Sequence, residues 1–165
     1  MDGEGVSIMT QNGQLDKTDL RILDILQENS RMEVIHIASK VYKSPATTCE
    51  RIQRLQARGF IERFTAVLNR NLVGRPMLMV AMVRLNSHAF PALDEFPKLM
   101  SRLDCVQTCL HLSGEFDFML QVCLRDSEEY ATFLNQQLCS LPMVEKVQSS
   151  LVLQEHKLMA ALRLS

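Results

Sequence analysis

Basic side chains are concentrated in one quarter of this chain, where their most direct chemical use is binding phosphate. Between Lys40 and Arg75 the sequence has eight Lys or Arg residues and two acidic ones, a net charge of +6, although the whole chain of 165 residues carries −1. A local excess of this kind is the electrostatic footprint of a nucleic-acid contact. The near-neutral total excludes a uniformly basic nucleic-acid wrapper, so the predicted contact surface is confined to this segment.

Residues 44–58 have the pattern of a helix with one apolar and one polar face. Ser44-Pro45 is a favoured start for a helix, and Gly59 is a favoured residue just past the end. At about 100° per residue, one side collects polar side chains, namely Thr47, Glu50, Arg51, Arg54 and Arg58. Thr and Arg along an exposed stripe can contact base edges and phosphates in a major groove, and the helix start offers free backbone N–H groups. A solvated polar face is the alternative for this stripe taken alone.

Three short helices are predicted around this stripe, because apolar residues recur with helical spacing up to residue 58. With only Tyr42-Lys43 between the second and the third, the arrangement is a helix-turn-helix. After Gly59 the period becomes two, so FIERFTAVL predicts a strand pair or wing. The first predicted helix starts at the cap Asp16 and ends at Asn29-Ser30. The second runs over Glu33–Val41, and the third runs over Ser44–Arg58.

The second half of the chain predicts strands and helices in the order βαββαβ, which is the ferredoxin-like motif. Its predicted elements are the strand 77–85, the helix Pro91–Leu103, the strands Val106–Ser113 and Phe118–Leu124, a helix from its cap Asp126 to about Leu141, and the strand Val144–Leu158. The fold class is therefore α+β, with an N-terminal (winged) helix-turn-helix domain and a C-terminal ferredoxin-like domain. The predicted boundaries are a flexible arm over 1–14, the helix-turn-helix over 15–64, a wing and linker over 65–76, and the second domain over 77–165.

Other chemistries find little support in the residue pattern. The five cysteines are odd in number and lie in apolar runs, which is typical of reduced thiols in a cytosolic protein. Cys105, Cys109, His111 and Cys123 suggest a metal site only weakly, because the chain has no C-x-x-C, so buried thiols beside a surface His are expected instead. Without a nucleophile–base pair or a phosphate loop the protein is not predicted to be an enzyme. Without an apolar run of about 18 residues or a secretory start, it is predicted to be cytoplasmic.

Four segments together resemble the Lrp/AsnC (feast/famine) family of bacterial and archaeal transcription regulators. They are LDKTDLRILDILQENSR, SPATTCERIQRLQARGFIERFTAVLN, LSGEFDFML and LPMVEKVQSSLVLQEHK, and they lie in order over roughly residues 15–157. The resemblance implies an N-terminal DNA-reading domain and a C-terminal domain (the RAM domain) for effector binding and oligomerisation. It further implies dimers that often assemble to octamers on double-stranded DNA in the cytoplasm, at the nucleoid, with a free amino acid as the effector and no other cofactor.

The resemblance also assigns roles to individual residues. The third helix becomes the recognition helix, with DNA contacts at Ser44, Thr47, Thr48, Arg51, Arg54 and Arg58. The family's Gly-x-x-Asp turn corresponds to Gly114–Asp117, and the implied effector site is His111, Leu112, Ser113, Gly114, Asp117 and Ser149. A zwitterion needs an anionic acceptor such as Asp117 and backbone donors that a Gly turn brings close, so the physical chemistry agrees with this assignment.

Two departures from the family pattern and two alternatives stand beside these assignments. Tyr42-Lys43 occupies a turn that usually contains Gly, and His111 is not a common residue at the edge of the site. From spacing alone, Gly114–Asp117 is an ordinary hairpin turn. The alternative functions are a ligand-binding ferredoxin-like oligomer and a ligand-independent architectural DNA-binding protein. Salt-dependent binding of duplex DNA separates the first of these from a regulator.

Overall fold

The computed structural model describes residues 8–10, 13–87, 90–157 and 160–164. The chain divides into two units, and the first contains the residues up to Ala66 together with the segment from Lys157 onward. The second unit is Val67–His156. This division differs from the expectation that 77–165 form one domain, because the last residues belong to the first unit.

The C-terminal segment is held on the first helix by hydrogen bonds between one side chain and its backbone. The side-chain amide of Gln27 donates to the Leu162 carbonyl at 3.2 Å and accepts from the Leu162 N–H at 2.7 Å. Leu164 packs against the apolar core of the same unit. Gln27 therefore pairs with this backbone much as a neighbouring strand would, a contact that no local pattern in residues 157–165 indicates.

Three helices form the first unit, as the sequence predicts. They are α1 (Lys17–Glu28), α2 (Val34–Lys40) and α3 (Pro45–Ala57). The Asp16 carboxylate caps α1 by accepting the Asp19 N–H at 2.8 Å. The apolar stripes meet in a core where Ile22, Ile37 and Leu55 are fully buried. The helix-turn-helix is thus confirmed, with α3 lying against α1 and α2.

The residues on either side of these helices differ from the prediction. Ile8–Thr10 (β1) and Gly13–Leu15 (β2) form an antiparallel hairpin in place of a flexible arm, and buried Leu15 anchors it. The rest of the predicted arm, residues 1–7 and 11–12, lies outside the described residues. No strand pair forms where the sequence predicts one: residues 60–76 are all described, and none of them lies in a strand. Alternation alone was insufficient there, because a strand also needs a partner for its backbone.

The second unit is a four-stranded antiparallel sheet with helices on one face, which confirms the ferredoxin-like order. Its strands are β3 (Met77–Leu85), β4 (Val106–His111), β5 (Phe118–Leu124) and β6 (Val144–Leu151), arranged as β4-β5-β3-β6. Its helices are α4 (Phe90–Met100) and α5 (Ser127–Thr132). Alternate residues of β3 and β5, such as Ala81 and Leu120, are fully buried with Phe96 of α4 and Phe133 that follows α5. The same register turns the other residues of these strands to the opposite face.

Helix α4 ends at Met100 and strand β4 at His111, within three residues of the predicted ends, whereas two other elements differ more. After Thr132, α5 continues as a π-helix over Phe133–Leu138, in which the Cys139 N–H donates to the Leu134 carbonyl at 2.8 Å. Strand β6 ends at Leu151, opposite Met79, instead of at Leu158. One further hydrogen bond follows it, from the Val152 N–H to the Leu78 carbonyl at 2.9 Å, next to the first residue of β3.

Candidate DNA-binding surface and ligand loop

The start of α3 is an exposed, capped helix end. The Ser44 hydroxyl accepts the Thr47 N–H at 3.1 Å, and the two hydroxyls are 2.8 Å apart. Both side chains are exposed. Because the first N–H groups of a helix lack partners within it, backbone and hydroxyl groups at this end can donate hydrogen bonds to a phosphate oxygen.

Thr48 has a different place from the one that the resemblance implies. Its side chain is fully buried, and its hydroxyl donates to the Ser44 carbonyl at 2.9 Å. A side chain with no exposed surface cannot reach DNA in this conformation. Thr48 therefore supports the first turn of α3 from inside and is not among the residues we assign to the DNA surface.

Arg51 is engaged within the unit. Its Nη1 lies 2.7 Å from Asp16 Oδ2 and 2.7 Å from Asp19 Oδ1, and Asp19 is only 2% exposed. These carboxylates raise the pKa of Arg51. Burial alone raises the pKa of Asp16, but the Asp19 N–H and the Arg51 guanidinium lower it more, and its pKa lies below the ordinary value. Arg51 thus joins α3 to α1.

Arg54 is held less tightly than Arg51. The Arg54 Nη2 is 3.3 Å from Asp19 Oδ2, at the long end of the hydrogen-bond range, and the side chain is 49% exposed. Arg58 ends α3, and its guanidinium lies over the Phe60 ring at 4.9 Å. Arg54 can therefore exchange the Asp19 carboxylate for a DNA phosphate at little cost in free energy. Arg51 cannot do so, because both of its short ion pairs would be lost.

The local sequence pattern indicates no role for Asp19 or for the lysines on either side of the turn. In the structure Asp19 binds Arg51 and Arg54 of α3. Lys40 and Lys43 are exposed, and neither has an ion pair in the described ranges of the chain. Their proximity to Ser44 was a signal in the sequence, but only the structure shows that both charges lack an ion-pair partner among the described residues.

The Gly114–Asp117 loop joins β4 to β5 and is fastened at both ends. The Leu112 N–H donates to the Asp117 carbonyl at 2.8 Å, and the Asp117 N–H donates to the Val83 carbonyl at 2.9 Å. The Asp117 carboxylate accepts the Leu85 N–H at 2.7 Å. Gly114 has a φ of +145°, and a Cβ placed there would have no heavy atom within 4 Å. The loop therefore has a fixed backbone with open space above Gly114.

The remaining residues of the implied effector site lie at different distances from this loop. Leu112 and Ser113 belong to it, and His111 stacks on Phe118 with ring centroids 4.9 Å apart. Ser149 lies on β6 opposite Ala81. Its hydroxyl is buried and has no hydrogen-bond partner in the described part of the chain. The structure thus brings five of the six residues together at the hairpin and places Ser149 two strands from β5 across the sheet.

A cavity of about 300 Å³ lies at the other end of the same hairpin. Cys105, just before β4, and Leu124, at the end of β5, are among its lining residues, with Arg75, Arg102, Glu129 and Phe133. Burial raises the pKa of the Cys105 thiol, which keeps it protonated. The cavity and the Gly114–Asp117 loop are therefore separate features of the second unit.

The described residues contain neither a metal-binding cluster nor a membrane-spanning helix. Within the described ranges, no three His, Cys, Asp or Glu side chains lie together in a way that could hold a metal ion. Burial raises the pKa of Cys109 and Cys123 as well, which disfavours the thiolate that binds metals. Among the described helices, none has the length and apolar character needed to cross a membrane.

Two sequence profiles match the two units. The winged helix-turn-helix DNA-binding profile matches residues 15–62, and the Lrp/AsnC ligand binding domain profile matches residues 78–162. Together with the exposed recognition helix, these matches define a DNA-binding transcriptional regulator with a ligand-binding domain.

Curated relatives and solved structures give the same result. The leucine-responsive regulatory proteins of Escherichia coli (strain K12) and Klebsiella pneumoniae are each 32% identical over 143 residues, covering 87% of this chain and 87% of theirs. A transcriptional regulator from Neisseria meningitidis in complex with L-Met has a TM-score of 0.85 at 31% identity, covering 91% of this chain and 97% of that one. An AsnC family transcriptional regulator from Agrobacterium tumefaciens has a TM-score of 0.83 at 29% identity, with coverages of 91% and 97%. The chain belongs to the Lrp/AsnC family, which confirms the resemblance seen in its sequence.

Proposed function

We propose that this protein is a sequence-specific DNA-binding regulator whose assembly and DNA binding respond to a free amino acid. The observation that carries the proposal is the exposed N-terminal end of α3, with Ser44 and Thr47 beside unpaired Lys43. The binding of L-Met by the Neisseria meningitidis regulator supports an amino acid as the effector. On this proposal the protein works by binding, without catalysis, in the cytoplasm and at the nucleoid.

On the DNA side, the residues divide into contacts and supports. Ser44 and Thr47 bind a backbone phosphate at the start of α3, and Arg54 contacts a guanine edge or a phosphate further along. Arg58 lies at the end of the same stripe and completes it. Arg51 holds α3 in place through its ion pairs with Asp16 and Asp19, and it does not exchange them for a contact with DNA.

On the ligand side, the Gly114–Asp117 loop supplies the groups that a zwitterion needs. Backbone N–H groups near Ser113 and Gly114 can bind the ligand's carboxylate, because a glycine at φ +145° lets the ligand approach closely. Asp117 is the acidic side chain for the ammonium group, and His111 borders the site. The buried hydroxyl of Ser149 has no hydrogen-bond partner among the described residues, which supports a role toward a ligand or a second copy.

Assembly follows from the exposed position of this loop. Ser113, Gly114 and Glu115 are all exposed, so a small ligand is buried there only if another copy of the chain covers it. The sheet face away from the helices carries Val80, Met82 and Met119, which suits packing of two sheets into a dimer. Dimers that meet at the ligand loops would give a larger assembly, up to the octamer. A ligand there changes how many helices reach DNA together, and hence the avidity.

The ligand part is tested by thermal unfolding against the free amino acids at millimolar concentration. A ligand at about 100 times its Kd adds about 2.7 kcal/mol of stability. In a chain of this size that raises the midpoint by roughly 5–10 °C. Gly114→Ala strains the loop without a steric clash and should abolish the selective rise, whereas Glu115→Ala in the same loop should keep it. An equal rise in both variants would remove the ligand from this loop.

The DNA part is tested by titrating a duplex from upstream of the protein's own gene at two salt concentrations. Binding should weaken steeply as salt rises, because phosphate contacts release counterions. No binding at low salt would favour the ligand-binding oligomer. Binding without any amino-acid response in the thermal assay would favour a ligand-independent architectural protein.

A further inference from the structure

Tyr42 lies in the turn between α2 and α3 in a conformation that its residue type disfavours. Its φ of 55° is in the left-handed region, and within the described residues no other non-glycine residue has a positive φ. The Tyr42 N–H donates to the Ser39 carbonyl at 3.3 Å, and the Lys43 N–H donates to the Ala38 carbonyl at 3.0 Å. This pair of bonds is the Schellman ending of a helix, in which Gly is the favoured residue at the position of Tyr42.

The side chain of Tyr42 makes no contact among the described residues that would offset this strain. It is 87% exposed. No hydrogen bond or ring contact in the described part of the chain involves its phenol. A strained residue persists where it serves a purpose outside local folding, and such residues cluster at functional sites. The conformation therefore points to a contact that Tyr42 makes with a partner molecule.

The surroundings of Tyr42 indicate the chemistry of that partner. Lys40 and Lys43 are exposed on either side of it and have no ion pair within the described ranges. The next residue, Ser44, begins the exposed end of α3. In contrast, Arg51 and Arg54 are already bound to Asp19. Within the described helix-turn-helix, the turn is therefore one place where exposed positive charge has no ion-pair partner, and this charge lies on both sides of the phenol.

We propose that Tyr42 is a DNA-contact residue that donates its phenol O–H to a phosphate oxygen of the duplex, between the phosphate contacts of Lys40 and Lys43. This inference rests on the proposed function and adds to it a contact outside the recognition helix. Tyr is among the side chains that bind DNA phosphates, and such contacts fix the register of a protein on the duplex without reading its sequence.

Replacing Tyr42 with Gly should change stability and DNA binding in opposite directions. Tyr42→Gly relieves the left-handed strain, so the thermal midpoint should rise by about 2–4 °C. Loss of the phenol should weaken binding about tenfold, both to the duplex from upstream of the protein's own gene and to an unrelated duplex of equal length. A merely structural role for Tyr42 predicts that both quantities fall together.

Two further variants separate the phenol from its neighbours. Tyr42→Phe keeps the ring and the strain, so it should leave the thermal midpoint unchanged and lose the same DNA affinity as Tyr42→Gly. Neither Tyr42 variant should change the salt dependence, because a neutral phenol releases no counterion. Lys43→Ala should reduce the slope of log K against log salt by about 1.

The outcomes distinguish this contact from the proposed function as a whole. If the wild-type protein binds duplex and both Tyr42 variants bind as tightly, the Tyr42 contact is overturned and the proposed function stands. If Tyr42→Gly lowers the thermal midpoint, the residue has a folding role and the contact is likewise overturned. If the wild-type protein binds neither duplex at low salt, the proposed function fails, and the Tyr42 contact fails with it.

Discussion

Asp19 is a buried carboxylate of α1 that binds two arginines of the recognition helix. It is 2% exposed and accepts the Arg51 guanidinium at 2.7 Å and the Arg54 guanidinium at 3.3 Å. A buried carboxylate that loses its cation keeps the cost of desolvation without the attraction that offset it. The two arginines therefore differ in what their removal does, although they occupy the same polar stripe of α3.

Arg51→Ala should lower the free energy of unfolding by about 3 kcal/mol, because it leaves Asp19 and Asp16 without their shared cation. Urea unfolding followed by circular dichroism measures this loss. Arg54→Ala is the matched control, and its half-exposed side chain should cost less than about 1 kcal/mol of stability. The same control should weaken DNA binding by about 1–3 kcal/mol if Arg54 reads a base edge. Equal stability losses in the two variants would contradict the inference that Arg51 supports the fold whereas Arg54 contacts DNA.

The lowered pKa of Asp16 makes the first unit sensitive to acid. Burial raises this pKa, but the Asp19 N–H and Arg51 lower it below the ordinary value of 3.8. The contribution to stability is therefore fully present above that value and is lost as the pH falls through the lower pKa of the folded state. Urea unfolding from pH 7 to pH 2 should show this loss in the wild-type protein.

Asp16→Asn provides the comparison, because Asn keeps an oxygen to cap α1 but has no charge to titrate. Its stability should be lower at pH 7 and should depend less on pH in the acid range. A variant that follows the wild-type curve in parallel at every pH would show that Asp16 does not contribute to the acid sensitivity.

At the scale of elements, the sequence predicted the structure well where local signals decide. Caps at Asp16, Ser44 and Asp126, together with helical periodicity, placed the starts of three helices, and a continuous apolar run placed β3 over Met77–Leu85. The failures occurred where pairing decides. The alternating segment FIERFTAVL pairs with no strand among the described residues, and β6 pairs with β3 only as far as Leu151.

The candidate site was predictable to the extent that its residues are contiguous. The Gly114–Asp117 loop and the polar stripe of α3 were both visible in the sequence. The burial of Thr48 and the pairing of Arg51 were not, because both depend on contacts with α1 and on the exact roll of α3 against it. The strain at Tyr42 required a measured backbone angle, although the absence of Gly in that turn was a visible signal.

Substitutions at Gly59 test which backbone conformation ends α3. Its φ of +76° is in the left-handed region, and an added Cβ would have no heavy atom within 4 Å. Gly59→Ala should therefore cost about 1 kcal/mol through conformation alone, without a clash. Gly59→Asn should cost less, because Asn adopts this region more readily. Urea unfolding measures both, and an unchanged stability in Gly59→Ala would show that the end of α3 relaxes freely.

At the scale of the whole molecule, the final segment is part of the stability of the first unit. Deleting residues 157–165 removes the two hydrogen bonds between Gln27 and Leu162 and the packing of Leu164. Amide hydrogen exchange should then accelerate in α1, whereas exchange in β3 should stay unchanged. Gln27→Ala should reproduce a smaller part of the effect. Protection of α1 that is equal in the deletion and the full chain would contradict a stabilising role for this segment.

The path of the chain also has a consequence for how the protein withstands proteases. The first unit is built from two separate stretches, and the second unit is inserted between them. One nick between Val67 and Pro76 would divide the chain into two fragments, and the contacts of Gln27 with Leu162 and of Leu164 with the core of the first unit would still hold them together without a covalent bond. Releasing the second unit would take two cuts, and the first unit would then be a noncovalent pair of fragments. A regulator with this topology tolerates a single break in its backbone that would separate two domains joined in series.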